Sequence, residues 1–195
     1  MSFNTEEKIL KGCLNENAKA QEALYRLFSP TMFGICLRYG SDYHTAEDIL
    51  QDGFVKVFKS IHKFKNTGSL EGWIRRIFVN TAIEYYRKKS RSFRFTPLDV
   101  VAEKSVEDHK LLEIEKEELL GLIQQLPDGY RLVFNLYIIE GFSHQEIAEK
   151  LNINLGTSKS QLARAKKYLR KLISSQQVSE ERALKNTRNY SLGYV

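Results

Sequence analysis

The chain has 195 residues, which suits one or two small domains, and 42% of them are hydrophobic, enough for true cores. No run of about 18 apolar residues is present, so we expect no membrane insertion and a cytoplasmic protein. The net charge of +6 weakly favours a polyanionic partner. Cys13 and Cys36 are expected to be buried free thiols, and four scattered histidines share no ligand spacing with them. We therefore propose no metal site and no cofactor.

The first part of the chain is predicted to be helical throughout, because its apolar residues recur at helical spacing. A first helix is expected over about 6–14 and a second over about 18–28. Pro30 either kinks the second helix or starts a third, since proline fits a first helical turn. Thr45 is expected to begin the next helix.

A long helix is predicted from Leu70 to about Lys89, with Ser69 as its N-cap. The last turn of this helix is rich in Arg and Lys, which also suits the helix dipole. Trp73 has helical spacing with Ile77, so we expect it to pack in the core although it could serve as a stacking platform.

Residues from about 90 to 107 lack a periodic apolar face and contain Pro97, so we predict a flexible linker there. Charge alternates around this segment: a basic end of the first domain is followed by an acidic connector and then by a second basic stretch. Two separate basic surfaces suggest two contacts with nucleic acid.

The second domain is predicted to contain a helix-turn-helix between Gly141 and Leu172. Ser143 and Glu146 have the spacing of a capping box, and the Asn residues after Leu151 tolerate a left-handed break. Thr157 is the expected N-cap of a second helix that carries six basic residues and no acid up to Lys171. Such a unit can place its second helix in a DNA major groove, whereas the plain alternative is a packed hairpin with a solvated basic face.

The predicted fold class is therefore all-α, with two small helical domains joined by a flexible linker. The predicted boundaries are a first domain over 1–90, an acidic linker over 91–110, a second domain over 111–173 and a polar, disordered tail over 174–195.

Three segments in this order resemble the extracytoplasmic-function (ECF) group of bacterial sigma factors, the smallest members of the sigma-70 class. AEDILQDGFVKVFKSIHKF resembles the family's region 2.1–2.2, and GSLEGWIRRIFVNTAIEYYRKK resembles regions 2.3–2.4. The stretch from Leu122 to Leu172 resembles region 4. The resemblance implies a factor that binds core RNA polymerase, directs it to promoters and helps to separate the strands at the −10 element.

The resemblance also implies contacts for the first domain. The surface expected to dock on the β′ clamp helices of polymerase comprises Glu47, Asp48, Gln51 and Asp52. The residues expected to meet −10 DNA are Phe64, Asn66, Arg75, Arg76, Asn80, Arg87, Lys88 and Lys89. A flipped base needs an aromatic wall and amides for its edge, and the cationic side chains can hold phosphates.

In the second domain the resemblance implies recognition of −35 DNA by Thr157, Ser158, Lys159, Gln161, Arg164 and Lys167. Other family members often carry arginine where Gln161 stands. Val133, Leu136 and Tyr137 are candidates for docking on the β flap, with burial in the domain core as the alternative. An anti-sigma factor or another recruiting protein is an expected partner, and the tail over 174–195 is a candidate docking segment for it.

Two other functions stay open at this point. A stand-alone helix-turn-helix regulator would explain the second domain but leave the first without a role, and a pull-down of polymerase subunits separates the two. A small helical enzyme such as a nuclease would need clustered carboxylates for a metal ion. Glu47, Asp48 and Asp52 are clustered but belong to a solvated helix face, and no catalytic constellation is recognisable. We therefore expect a binding protein and not an enzyme.

Overall fold

The structure is a computed structural model that describes residues 3–89 and 116–191, with side chains described for 6–89 and 118–175. Every regular element in these ranges is helical, which confirms the predicted all-α class. The chain divides into two compact units, Met1–Thr96 and Pro97–Val195. The predicted linker over 91–110 and residues 192–195 lie outside the described residues. None of the described helices is both long and apolar enough to cross a membrane.

The N-terminal unit packs four helices around one core. They are α1 (Phe3–Leu14), α2 (Ala18–Tyr39), α3 (Tyr43–Ser60) and α4 (Leu70–Lys89), with a short 3₁₀ turn at Ile61–Lys63. Their fully buried side chains include Leu24, Met32, Ile49, Ile74 and Phe78. Pro30 lies inside α2 and is exposed, so the helix continues through it instead of starting anew.

The start of α3 differs from the prediction, because Asp42 and not Thr45 caps this helix. The Asp42 Oδ1 atom accepts a 2.7 Å hydrogen bond from the Thr45 amide. That bond is the largest cause that lowers the pKa of the Asp42 carboxyl. Thr45 itself is buried under the first turn. The Ser69 cap of α4 is confirmed, since Ser69 Oγ accepts a 3.0 Å hydrogen bond from the Gly72 amide.

The C-terminal unit contains α5 (Lys116–Gln124), α6 (Asp128–Phe134), α7 (His144–Leu151) and α8 (Leu155–Ser191), and a π-helical turn at Asn135–Ile139 continues α6. Arg131 is almost fully buried at the α5–α6 connection. Its guanidinium donates hydrogen bonds to the backbone oxygens of Gln124 and Leu126, at 2.9 and 2.6 Å, and pairs with Asp128. The charge is thus compensated, which fixes how α6 follows α5.

Both ends of α8 correct the sequence prediction. At its start, Asn154 and not Thr157 provides the cap, because Asn154 Oδ1 accepts a 2.6 Å hydrogen bond from the Thr157 amide. At its end, α8 continues to Ser191, whereas a helix end near Ile173 was expected. The sequence between Ile173 and Ser191 contains neither Gly nor Pro, so nothing in it terminates the helix.

Candidate polymerase and nucleic-acid interfaces

The acidic face of α3, which comprises Glu47, Asp48, Gln51 and Asp52, lies toward solvent. Glu47 is half-buried and the other three side chains are exposed. Positions three and four apart share a face of an α-helix, so the structure brings the four residues together as predicted from their spacing. Glu47 also lies 3.7 Å from the Nδ1 atom of His44, one turn earlier. This face therefore presents clustered negative charge to a partner.

The contacts that hold α3 against α4 include a pair of aromatic rings and an ion pair. The Phe54 and Phe78 rings meet edge to face, with centroids 5.2 Å apart, inside the core. Outside it, Lys56 Nζ lies 2.8 Å from Glu84 Oε2. These contacts fix the acidic face of α3 relative to the polar face of α4.

The polar face of α4 runs along the helix through Arg76, Asn80 and Arg87. The spacings of four and seven residues place the three exposed side chains in one line. Lys88 and Lys89 extend the exposed basic end of the helix, and Arg75 is half-buried beside it. An amide in the middle of a row of cations suits a nucleic-acid strand, because the cations can hold phosphates while the amide reads a base edge.

The loop before α4 places an aromatic pair at the start of this face. The Phe64 and Trp73 rings have centroids 5.6 Å apart and are tilted by 51°. Both residues are half-buried, so Trp73 is not the core residue that its spacing suggested. Asn66 is exposed in the same loop and has a left-handed φ of 55°. Sequence reasoning favoured the core for Trp73, because its partner Phe64 is in a loop, where helical periodicity gives no signal.

The turn of the helix-turn-helix has the predicted local chemistry. The Glu146 amide donates to Ser143 Oγ at 3.2 Å, and the Ser143 amide donates to Glu146 Oε2 at 2.8 Å, which completes the capping box. The second bond is the largest cause that lowers the pKa of the Glu146 carboxyl. Asn152 ends α7 with a left-handed φ of 53°, as expected for an asparagine at this position.

The first turns of α8 present only some of the predicted DNA contacts to solvent. Lys159 and Lys167 are exposed, and Thr157 and Arg164 are half-buried. Ser158 and Gln161 are buried, at 0% and 6% exposure, which corrects their predicted place on the DNA-facing side.

The physical reason is their register on α8. Ser158 precedes Leu162 by four residues and Ala165 by seven, so it belongs to the packed stripe of the helix. Ser158 Oγ lies 2.9 Å from His144 Nδ1, while Gln161 Oε1 finds no hydrogen-bond partner among the residues that the structure describes. The helical spacing from the buried apolar residues of α8 would have predicted this burial. The polar character of the two side chains instead suggested that they lie on the protein surface.

The apolar candidates for docking on the β flap also divide into buried and exposed residues. Val133 and Leu136 are fully buried, so the alternative of core packing holds for them. Tyr137 is 37% exposed and stacks on His144, with ring centroids 4.4 Å apart and an interplanar angle of 23°. Ile138 beside it is also exposed. A small apolar surface is therefore available at the π-helical turn.

Comparison with known proteins matches each unit separately. Residues 24–92 match the family model described as Sigma-70 region 2, and residues 116–169 match Sigma-70, region 4. The chain is 32% identical over 158 residues to the ECF RNA polymerase sigma factor SigW of Bacillus subtilis, covering 74% of this chain and 84% of that protein. It is 30% identical over 155 residues to the ECF RNA polymerase sigma factor SigE of Mycolicibacterium smegmatis, which covers 76% of this chain and 60% of the relative.

A solved structure of the sigma factor RpoE from Bartonella quintana, in complex with the anti-sigma factor NepR, is also similar. It is 22% identical, the match covers 78% of this chain and 96% of that one, and the TM-score is 0.47.

Proposed function

The chain belongs to the ECF group of the sigma-70 family, and from that premise we propose that it binds core RNA polymerase, directs it to promoters and helps to open the −10 region. It is an alternative sigma factor and not an enzyme, because the polymerase supplies the chemistry. The observation that carries this proposal is the match of the two helical units, in order, to region 2 and region 4.

Polymerase docking is assigned to the acidic face of α3. Its side chains Asp48, Gln51 and Asp52 are exposed and lie on one side of the helix, opposite its core contacts. A compact negative surface is complementary to basic helices such as those of the β′ clamp, and such complementarity speeds the encounter of the two proteins. The contacts between α3 and α4 would then fix the DNA-reading helix with respect to the clamp.

Recognition of the −10 element is assigned to the polar face of α4 and the loop before it. Asn80 has both a donor and an acceptor for a base edge, and it is exposed between Arg76 and Arg87. The Phe64–Trp73 pair supplies an aromatic wall for an unstacked base, with Asn66 in the same loop. Arg75, Lys88 and Lys89 complete a basic track for the phosphates.

Recognition of the −35 element is assigned to the exposed side of α8. Lys159 and Lys167 are exposed, and Thr157 and Arg164 flank them with half-buried side chains. We leave the buried Ser158 and Gln161 out of this surface. Tyr137 and the neighbouring Ile138 are the proposed contact for the β flap, since they are the exposed apolar side chains of the π-helical turn.

Two further parts of the proposal concern the cellular location of the protein and its controlling partner. A factor that works with core RNA polymerase acts in the cytoplasm, so we place it there. An anti-sigma factor or another recruiting protein is proposed as a controlling partner, in keeping with the family.

Run-off transcription tests the function directly. Core polymerase of the same organism is combined with the chain and a library of genomic fragments, and transcripts are mapped. The proposal expects initiation at discrete sites that depends on the added chain. Binding of the chain to duplex DNA without any association with polymerase would instead indicate a stand-alone regulator.

A further inference from the structure

Three elements of the C-terminal unit meet at one side chain, His144. It is the first residue of α7, its ring stacks on Tyr137 of the π-helical turn, and its Nδ1 atom lies 2.9 Å from Ser158 Oγ of α8. Ser158 is completely buried. A part-buried polar contact therefore joins the two helices of the helix-turn-helix, at the end where α8, the proposed recognition helix, begins.

The surroundings of the contact favour a neutral imidazole at neutral pH. Burial, followed by the positive charge of Lys159, lowers the pKa of His144 below its usual value. In a neutral ring one nitrogen donates and the other accepts, so Nδ1 can form a single directed bond with the Ser158 hydroxyl. Loss of His144 would leave the Ser158 hydroxyl buried without this partner, which is costly.

The position of this bond links it to DNA reading. Ser158 lies between Thr157 and Lys159, two residues of the proposed −35 surface. Apolar side chains of both helices, such as Ile147, Leu151 and Leu162, are buried, and the hydrophobic effect that favours their burial is non-directional. The hydrogen bond is directional, so it constrains how far α8 can rotate about its own axis.

We propose that His144 is a positioning residue for −35 recognition, which acts through Ser158 and sets the rotation of the recognition helix. This inference rests on the proposed function of α8. His144 touches no base in this role. It determines where the side chains of Thr157 and Lys159 point when the helix enters the major groove.

The test uses full-length chain and measures two affinities by fluorescence anisotropy. One is for the duplex that the wild type selects from a random library, and the other is for the same duplex with one base pair changed. The ratio of these affinities reports base preference, which a loss of stability alone would not change in a folded protein. Circular dichroism at the assay temperature verifies folding.

Four single substitutions and one double variant separate the parts of the contact. His144→Phe keeps the ring on Tyr137 but removes Nδ1, and Ser158→Ala removes the partner hydroxyl. Each is expected to reduce the ratio about fivefold, the size of one hydrogen bond, and the double variant is expected to do no worse than either. His144→Asn, which keeps a polar atom near the place of Nδ1, should retain most of the ratio. Ser174→Ala, an exposed serine on the same helix, is the matched control.

The outcomes distinguish the two levels of the proposal. Folded His144→Phe and Ser158→Ala proteins with the wild-type ratio would overturn the positioning role while leaving −35 recognition intact. Additive losses in the double variant would also overturn it, because the two residues would then act independently. A wild-type chain that selects no duplex would overturn the proposed −35 function itself, and this inference with it.

Discussion

Gly53 of α3 lies against the ring of Phe78 of α4, so closely that a Cβ atom at position 53 would overlap the ring. Phe78 is fully buried and also packs against Phe54. The close approach of the two helices therefore depends on the absence of a side chain at position 53. Because α3 carries the proposed polymerase face and α4 the proposed −10 face, this contact sets the spacing between them.

Gly53→Ala should destabilise the N-terminal unit by about 1–3 kcal/mol, since overpacking a filled core forces side chains or backbone to move. Gly34→Ala in α2 is the matched control, because a Cβ atom there meets nothing within 4 Å. It should stabilise the unit by about 0.5–1 kcal/mol through helix propensity. Urea unfolding of the two variants measures both effects, and equal stability would contradict the packing account.

Asp48→Lys should weaken binding to core polymerase about tenfold at low salt, because it reverses a charge on the exposed acidic face of α3. The loss should shrink as ionic strength rises, since exposed charges are screened. Glu7→Lys makes the same charge change on the exposed side of α1. Surface plasmon resonance with core polymerase compares the affinities of the two variants. Equal losses of affinity would argue against a specific docking face.

Lys159→Ala and Lys167→Ala should each reduce the salt dependence of duplex binding. If each lysine neutralises one phosphate, the slope of log K against log salt should fall in magnitude by about 0.9 per variant. Lys19→Ala, in the other unit, removes an exposed lysine outside the proposed surface. Binding titrations with the duplex at four salt concentrations measure this slope for each variant. An unchanged slope in both α8 variants would remove these lysines from the interface.

Acidification should destabilise the C-terminal unit through His144. Its pKa is lowered in the folded state, by burial first and by Lys159 second. Its contribution to stability is therefore present above the unfolded pKa of about 6.5 and is lost as pH falls through the lower folded value. His144→Phe should flatten this part of the profile of unfolding free energy between pH 7.5 and 5.5. If the profile of the variant runs parallel to that of the wild type, groups other than His144 cause the loss of stability at low pH.

Local backbone chemistry was the part that the sequence predicted best. The capping box of Ser143 and Glu146 and the left-handed Asn152 depend on neighbouring residues alone, so their spacing was sufficient. Asp42 and Asn154 were missed as caps because a second candidate, Thr45 or Thr157, stands three residues later at each helix start. Residue type and spacing alone do not rank two good N-cap candidates that stand so close together.

The proposed interfaces were harder to predict, because exposure depends on what a neighbouring helix offers. Ser158 is buried in the packed stripe of α8, and its polar partner His144 lies across the turn, 14 residues away in sequence. Trp73 is half-buried, and its ring contacts Phe64, which lies in the loop before α4. In contrast, the acidic face of α3 and the Asn80 stripe follow from helical spacing alone, and their predicted exposure agrees with the structure except that Glu47 is half-buried.

The central claim is that the α4 face with Asn80 reads the −10 element. Measuring how well holoenzyme with the Asn80→Ala variant opens the −10 region tests this claim most directly. Permanganate footprinting follows strand separation by holoenzyme on a promoter found by run-off transcription, with Asn15→Ala, another exposed asparagine, as the control. Asn80→Ala should reduce opening of the duplex promoter by about tenfold or more, while binding to core polymerase is unchanged. A change of the −10 base that Asn80 reads should cause no additional loss of opening in this variant. Wild-type opening by the folded Asn80→Ala holoenzyme would contradict the assignment of the α4 face as the −10 reader.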